Sequence, residues 1–190
     1  FISGSRSEYG LLKDLIIFLK REKKLSTKLV ITGSHLIKEY GNTISEINKD
    51  KIKIFNKIKI SSKTSTSGDI ANSSSKIITG LSNIFKYYKP DLMIVLGDRY
   101  EIFIACYVAT IFKIPIAHIC GGEETQGSYD NQFRHAITKM SHIHFVTNEF
   151  YKKNILRMGE NKDLVFNIGS LAFANFKKNK FKKKNILEKK

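Results

Sequence analysis

Polar residues gather in this chain where short apolar runs end. Gly97-Asp98-Arg99-Tyr100-Glu101 follows the run Leu92 to Leu96, and Gly4-Ser5-Arg6-Ser7-Glu8 follows Phe1-Ile2-Ser3. Leu29-Val30-Ile31 runs into Gly33-Ser34-His35, and the run from Ile116 delivers His118 and then Gly121-Gly122-Glu123-Glu124-Thr125. A carboxylate in a partly desolvated cleft can serve as acid or base, so Asp98 is a candidate for proton transfer, and the Gly-Gly segment brings flexible backbone beside two further acids, Glu123 and Glu124. Asp98 has a second reading, as the cap of the helix that follows it. Arg6 is placed to open a helix, where it would add a bidentate phosphate donor to the backbone amides already there. The alternative for Arg6 is a pair with Glu8 or another carboxylate of the rim. Asp130 and Arg134 are one helical turn apart and can pair, which alone would only steady the helix.

Other chemistries find no support in the spacing. The turn Gly4 to Gly10 lacks the dinucleotide pattern G-x-G-x-x-G. His35, His118, His135, His142 and His144 show no metal-ligand spacing, and there is no C-x-x-C or H-E-x-x-H, so no structural zinc and no metal is expected. His142 and His144 alternate on a strand and are expected to share one face. No G-x-S-x-G elbow and no cysteine-nucleophile signature occurs.

Positioning these residues requires an alternation of strands and helices. Glu8 to Lys23 reads as a helix with Leu12, Leu15, Ile16 and Leu19 on one face. Lys51 to Ile60 alternates lysine with isoleucine or phenylalanine, as a half-buried strand near an edge does. Ser61 to Ser67 reads as a loop, with Asp69 placed to cap a helix running to about Tyr88 before Pro90. Leu92 to Leu96 is a fully apolar strand, and Tyr100 to Phe112 an apolar helix buried on most sides. Strand Ile116–Ile119, a flexible Gly-Gly loop, helix Ser128–Lys139, strand His142–Val146, helix Glu149–Arg157 and strand Leu164–Ile168 complete the pattern. Near-continuous apolar strands alternating with helices predict a doubly wound, Rossmann-like α/β fold with a parallel sheet. In such sheets ligands bind at the carboxyl ends of the strands, where the polar residues above collect.

Composition narrows the partners. The chain of 190 residues has 33 Lys+Arg against 17 Asp+Glu, a net charge of +16, yet Phe176 to Lys190 alone supplies +7 of it. A nucleic-acid binder would show arginine clusters interleaved with aromatics or a recognisable motif, and neither is present, so a solvated lysine-rich surface is the better reading. The longest uncharged apolar run, Ile102 to Phe112, is too short for a membrane span. No secretory signal is visible, and Cys106 and Cys120 do not form a disulfide framework. The expectation is a soluble cytoplasmic protein that binds neither nucleic acid nor membrane. Phe1 looks like the tail of a strand and the lysine run like an interruption, so part of a longer protein is expected.

The motifs together resemble a family. Gly4-Ser5-Arg6-Ser7-Glu8-Tyr9-Gly10-Leu11-Leu12, Gly33-Ser34-His35-Leu36, Gly97-Asp98-Arg99-Tyr100-Glu101, Gly121-Gly122-Glu123 and the block Asp130 to His142 are similar to the hydrolysing UDP-N-acetylglucosamine 2-epimerases of sialic-acid biosynthesis. The Arg134–His142 stretch is the specific part; a single Gly-Asp-Arg is not. The resemblance implies one half of a GT-B enzyme. Residues 1–170 would be its N-terminal Rossmann-like domain and 171–190 the lysine-rich start of the connection to a C-terminal domain. It implies conversion of UDP-N-acetylglucosamine to UDP and N-acetylmannosamine by elimination to a glycal and addition of water, with no cofactor. The full-length enzyme is expected to be a homo-oligomer.

By motif position the resemblance makes Asp98, Glu123 and Asp130 catalytic, without saying which is the base. Arg6, Glu8, His35, Arg99, His118, Glu124, Arg134 and His142 are expected to bind substrate. One departure stands out: some relatives carry a catalytic glutamate two residues after the histidine matching His118, and that position here is Cys120. Either Glu123 or Glu124 takes its place, or the loop carboxylate matters less. The change also points to a variant substrate such as a UDP-2,4-diacetamido-trideoxy sugar. A GT-B glycosyltransferase and a non-enzymatic basic module acting through the lysine-rich tail are the remaining alternatives.

Overall fold

The structure is a computed structural model that describes residues 1–40, 43–61, 66–125 and 127–172. The lysine-rich stretch 176–190 and most of the loop expected at 61–67 lie outside the described residues. Among the described residues there are seven strands: β1 (Ile2–Ser3), β2 (Leu29–Ile31), β3 (Ile54–Lys57), β4 (Met93–Leu96), β5 (Ile116–Ile119), β6 (Ile143–Val146) and β7 (Val165–Asn167). The helices between them are α1 (Arg6–Arg21), α2 (Ile44–Lys49), α3 (Ser67–Tyr87), α4 (Tyr100–Ile111), α5 (Asp130–Met140) and α6 (Glu149–Arg157). Every pairing is parallel, in the orders β1-β2-β3 and β4-β5-β6-β7, and β1 lies beside β4. Reading across, the strands run 3-2-1-4-5-6-7, so the winding reverses between β1 and β4. That reversal opens a crevice at the carboxyl ends of the two strands, the usual binding place of such sheets.

Alternate strand residues feed two apolar layers, as the period of two demands. Ile2, Val30, Met93, Val95 and Ile116 pack with Ile77 and Leu81 of α3, Ile102 and Ala105 of α4 and Ile137 of α5. Leu29, Ile31, Leu96 and Ile119 pack with Tyr9, Leu12 and Ile16 of α1 and Ile47 of α2. Leu12, Ile16 and Ile31 are all within 1% of complete burial. At roughly 1.5–3 kcal/mol for each such side chain, this packing sets where α1 begins and therefore where its N-terminal turn meets the crevice. The α1 start is further fixed by a capping box, with Ser5 as N-cap and Glu8 returning its carboxylate.

The lysine-alternating strand is the sheet's edge, as expected, with Lys53, Lys57 and Lys59 exposed. Three local expectations are corrected. Asp69 is the third residue of a capping box whose N-cap is Thr66, so it supports the start of α3 without being its cap. The segment 44–49, not expected to be helical, forms α2. Gly121 and Gly122 form no flexible loop: both are buried, and a Cβ on Gly122 (φ +75°) would lie 2.5 Å from the Tyr151 carbonyl oxygen.

Candidate active site

Loops from β1, β2, β4 and β5 meet at the switch point, and buried polar groups hold them there. Glu8 is 4% exposed, and its Oε2 accepts from the amides of Gly4 (2.6 Å) and Ser5 (3.2 Å). Burial pushes its carboxyl up to about 7, against the Gly4 amide, which pulls it down. Its other oxygen accepts no hydrogen bond, although Arg99 Nε stands 3.9 Å away. Arg99 itself forks onto Glu101, through Nε (3.2 Å) and Nη2 (3.0 Å). Glu101 is 1% exposed and fills the space between Gly4 and Gly33. Gly33 has φ +60°, and a Cβ there would stand 2.4 Å from the Gly4 oxygen and 2.8 Å from Glu101 Oε1, so only glycine lets the loops close this tightly.

Two buried histidines brace the same loops. His35 bridges the hydroxyls of Ser3 and Thr43, and His118 donates from Nε2 to the Gly97 carbonyl at 2.8 Å while Nδ1 takes the Thr138 hydroxyl. Burial lowers both to about 4, so they are neutral near pH 7. Both lie beneath the rim rather than on it.

The carboxylates form a second group. Asp98 does not cap α4: the N-cap is Arg99, whose side chain makes no capping bond, and Asp98 instead pairs with Nη2 of Arg134. Arg134 therefore does not pair with Asp130, as helical spacing allowed; the Asp130 carboxylate accepts from Ser128 Oγ at 3.0 Å. The stronger partner is 36 residues away in sequence, beyond what spacing on one helix can reveal. Arg134 also donates to the Glu123 carbonyl, Asn131 Oδ1 and Thr125 Oγ1. Glu123 is half-buried and accepts from the Thr147 hydroxyl at 3.0 Å, whereas Glu124 is exposed. Of the two acids that might stand in for the position of Cys120, Glu123 is thus the one tied to the Asp98 group. Burial, then the Glu123 carboxylate, push the Cys120 thiol up to about 12, so it is no thiolate at neutral pH.

Beside these groups lies a cleft of about 420 Å³, lined by Ser34, Ile37, Ile60, Arg99, Tyr100, Glu101, Tyr129 and Asp130 among others. A larger hollow of about 640 Å³ lies between β3 and α3, but no acid lines it. Of the catalytic candidates, Asp130 lines the smaller cleft, and Asp98 immediately precedes Arg99, which also lines it. Arg6 is open to solvent beside the rim, with a side chain 71% exposed, and it forks onto Glu46 of α2. The carboxylate partner foreseen for Arg6 exists, but it is Glu46 and not Glu8. His142 is corrected outright. It precedes β6, where its Nδ1 accepts from the Ile116 amide at 3.3 Å, so it lies at the amino ends of the strands, opposite the cleft. His144, two residues on, is buried and faces Glu160 at 3.3 Å, whereas His142 is exposed.

Glu46 was not singled out from the sequence; Glu101, Thr125 and Thr147 lie in the polar runs that follow their strands but were given no role. Glu101 had a legible signal, an acid in the first turn of an otherwise apolar helix. Among the described residues no group of three or more His, Cys, Asp or Glu could hold a metal ion, and no helix is long and apolar enough to cross a membrane.

Comparison with known proteins gives the arrangement its context. A family model described as UDP-N-acetylglucosamine 2-epimerase matches residues 18–190. Over 188 residues, 99% of the chain, it is 42% identical to a Campylobacter jejuni protein named GDP/UDP-N,N'-diacetylbacillosamine 2-epimerase (hydrolyzing), covering 49% of that protein. It is 39% identical over 92% of its length to the Escherichia coli polysialic acid biosynthesis protein P7, covering 45% of it. The crystal structure of Neisseria meningitidis UDP-GlcNAc 2-epimerase bound to UDP-GlcNAc superposes with a TM-score of 0.82 at 24% identity, over 93% of this chain and 47% of that one. That likeness shows the fold, one half of a GT-B arrangement. The chain spans about half the length of the curated relatives it matches. With an ordered match across nearly all its length and the same parallel architecture, the chain belongs to the UDP-N-acetylglucosamine 2-epimerase family.

Proposed function

We propose that the chain is the N-terminal half of a hydrolysing 2-epimerase that releases UDP and the free 2-epimer from a UDP-linked 2-acetamido sugar. The observation that carries this is Arg134 joining Asp98, after β4, to the Glu123 backbone, after β5, at the carboxyl ends of the strands and near a cleft that Asp130 lines, in a chain 42% identical to a relative named as a hydrolysing 2-epimerase. The C2 proton of such a sugar is weakly acidic, so its removal must be coupled to departure of the diphosphate. A carboxylate facing C2 takes the proton as the C1–O bond breaks and the glycal forms. Cationic donors accept the charge that builds on the departing UDP. Among the described residues, Arg99, at the cleft, and Arg6, exposed at the start of α1, are cations on this wall. Water then adds across the glycal with the opposite configuration at C2, a carboxylic acid returning the proton. The soluble enzyme would act in the cytoplasm, as a homo-oligomer, without a cofactor.

The 190 residues alone would supply one wall of the cleft. Left open, it would expose developing charge to bulk water, where charged groups stabilise it weakly. UDP-N-acetylglucosamine is the first substrate to test. A UDP-2,4-diacetamido-trideoxy sugar is the second reading, favoured by the names of the 42% and 34% identical relatives, both N,N'-diacetylbacillosamine 2-epimerases. The full-length protein should be offered each sugar nucleotide separately, and kcat/KM for UDP release compared. A ratio of tenfold or more in either direction assigns the substrate; no release from either would refute the reading.

A further inference from the structure

Building on the 2-epimerase reading, we propose that Arg134 is a positioning residue that locks Asp98 and the Glu123 loop into one arrangement, and that it does not grip the diphosphate. Arg134 rises from the second turn of α5 and is 6% exposed. Both terminal nitrogens are committed to protein. Nη1 donates to the Glu123 carbonyl (2.6 Å) and to Asn131 Oδ1 (3.2 Å). Nη2 donates to Asp98 and to Thr125 Oγ1 (3.3 Å). Nε is buried without a hydrogen-bond partner, and Arg134 does not line the cleft that Arg99 and Asp130 line. Among the described residues, Arg99, with its side chain 44% exposed, and Arg6 are cations open to a diphosphate.

One guanidinium thus spans two loops from different strands, the turn after β4 and the segment after β5. Asn131, one turn before it on α5, secures the same loop by a reciprocal pair. Its Nδ2 donates to the Thr125 carbonyl (2.8 Å), and its Oδ1 accepts the Thr125 amide (2.9 Å). The loop is therefore fastened at Glu123 and at Thr125, and Asp98 is fastened to the same fork. A planar fork with fixed donor directions can hold such an arrangement, and an ammonium on a flexible stem cannot. A misplacement of about 1 Å between catalytic groups costs on the order of 10²-fold in rate.

The test uses the full-length protein with Arg134→Ala and Arg134→Lys. For Arg134→Ala, kcat should fall about 10²-fold while KM and the UDP dissociation constant stay within about threefold of wild type. Added guanidinium should restore kcat at least about tenfold, and methylammonium should not, because only the former reproduces the fork. Arg134→Lys, which keeps the charge, should remain at least about tenfold impaired in kcat. Should the alanine variant fail to fold by circular dichroism, the lysine variant carries the same comparison. A rise of about tenfold or more in KM or in the UDP dissociation constant, with kcat retained, would make Arg134 a substrate contact and overturn the proposal. If the wild-type protein turned over neither sugar, the activity would be refuted and the lock would be judged by melting temperature alone. Asp98→Asn added to Arg134→Ala should then lower it no further, and additive losses would overturn the lock.

Discussion

Replacing Asp98 by asparagine tests structure and chemistry together. The change is nearly isosteric, and if Asp98 were a helix cap it would cost under about 1 kcal/mol, because asparagine caps equally well. Its actual partner is Arg134, whose side chain is 7% exposed against 22% for Asp98. Removing one member of a buried ion pair costs about 3–5 kcal/mol, because the other charge is left uncompensated. Asparagine keeps an acceptor for Nη2, and Asp98 retains some contact with water, so the expected loss is about 2 kcal/mol. For a domain of this size that corresponds to a fall of about 4–8 °C in Tm. Loss of proton transfer should lower kcat by about 10²-fold or more in the full-length protein. The assay is a thermal melt of the 190-residue chain alongside UDP release by the full-length enzyme, with circular dichroism on both. A Tm within about 1 °C of wild type would refute the buried pair. Near-wild-type turnover would remove Asp98 from the mechanism.

Stability should depend on pH through the buried groups at the rim. His35 and His118, lowered to about 4 in the fold from an ordinary 6.5, bind fewer protons than in the unfolded chain between those values. Each therefore contributes on the order of 3 kcal/mol that is lost as pH falls from 6.5 towards 4. Glu8, raised from 4.5 to about 7, has the opposite sign, and its contribution declines as pH rises across that range. Two histidines outweigh one glutamate, so denaturant midpoints should be higher at pH 6.5 than at pH 4.5, and equal midpoints would contradict the neutral, buried histidines. Gly122→Ala should destabilise by about 2 kcal/mol or more, since it combines a positive φ with a Cβ 2.5 Å from backbone; a melt unchanged from wild type would contradict that packing. Arg6→Lys should raise KM with little change in kcat if Arg6 leaves Glu46 to meet the diphosphate, whereas unchanged kinetics would leave it a partner of Glu46 alone.

The strands were legible because buried parallel strands are short, nearly continuous apolar runs, and Met93–Leu96 and Ile116–Ile119 carry no competing pattern. Helix α2 was not, because Ile44–Lys49 is six residues long and buries only Ile47, too little for a 3.6-residue period to register. The convergence on the carboxyl rim followed from which residues come after each strand: Asp98 follows β4, and Glu123 and Asp130 follow β5. Pairing was the part out of reach. Asp98 with Arg134, and Arg6 with Glu46, join segments far apart in sequence, and local spacing proposed nearer partners for each. His142 shows the opposite case. A motif block carried it into the substrate-binding set, yet its place just before β6 already put it at the amino end of the strand, away from the cleft.

The proposed reaction is elimination and rehydration at C2 with loss of UDP, and deuterium reports on each step. The full-length protein should be incubated with UDP-N-acetylglucosamine in D₂O, and separately with the 2,4-diacetamido analogue, and the products followed by proton NMR. Free UDP and a free sugar of inverted C2 configuration are expected, the sugar carrying deuterium at C2 from the first turnover. Deuterium-free sugar released with retained C2 configuration would contradict that reaction, as would an epimer still attached to UDP.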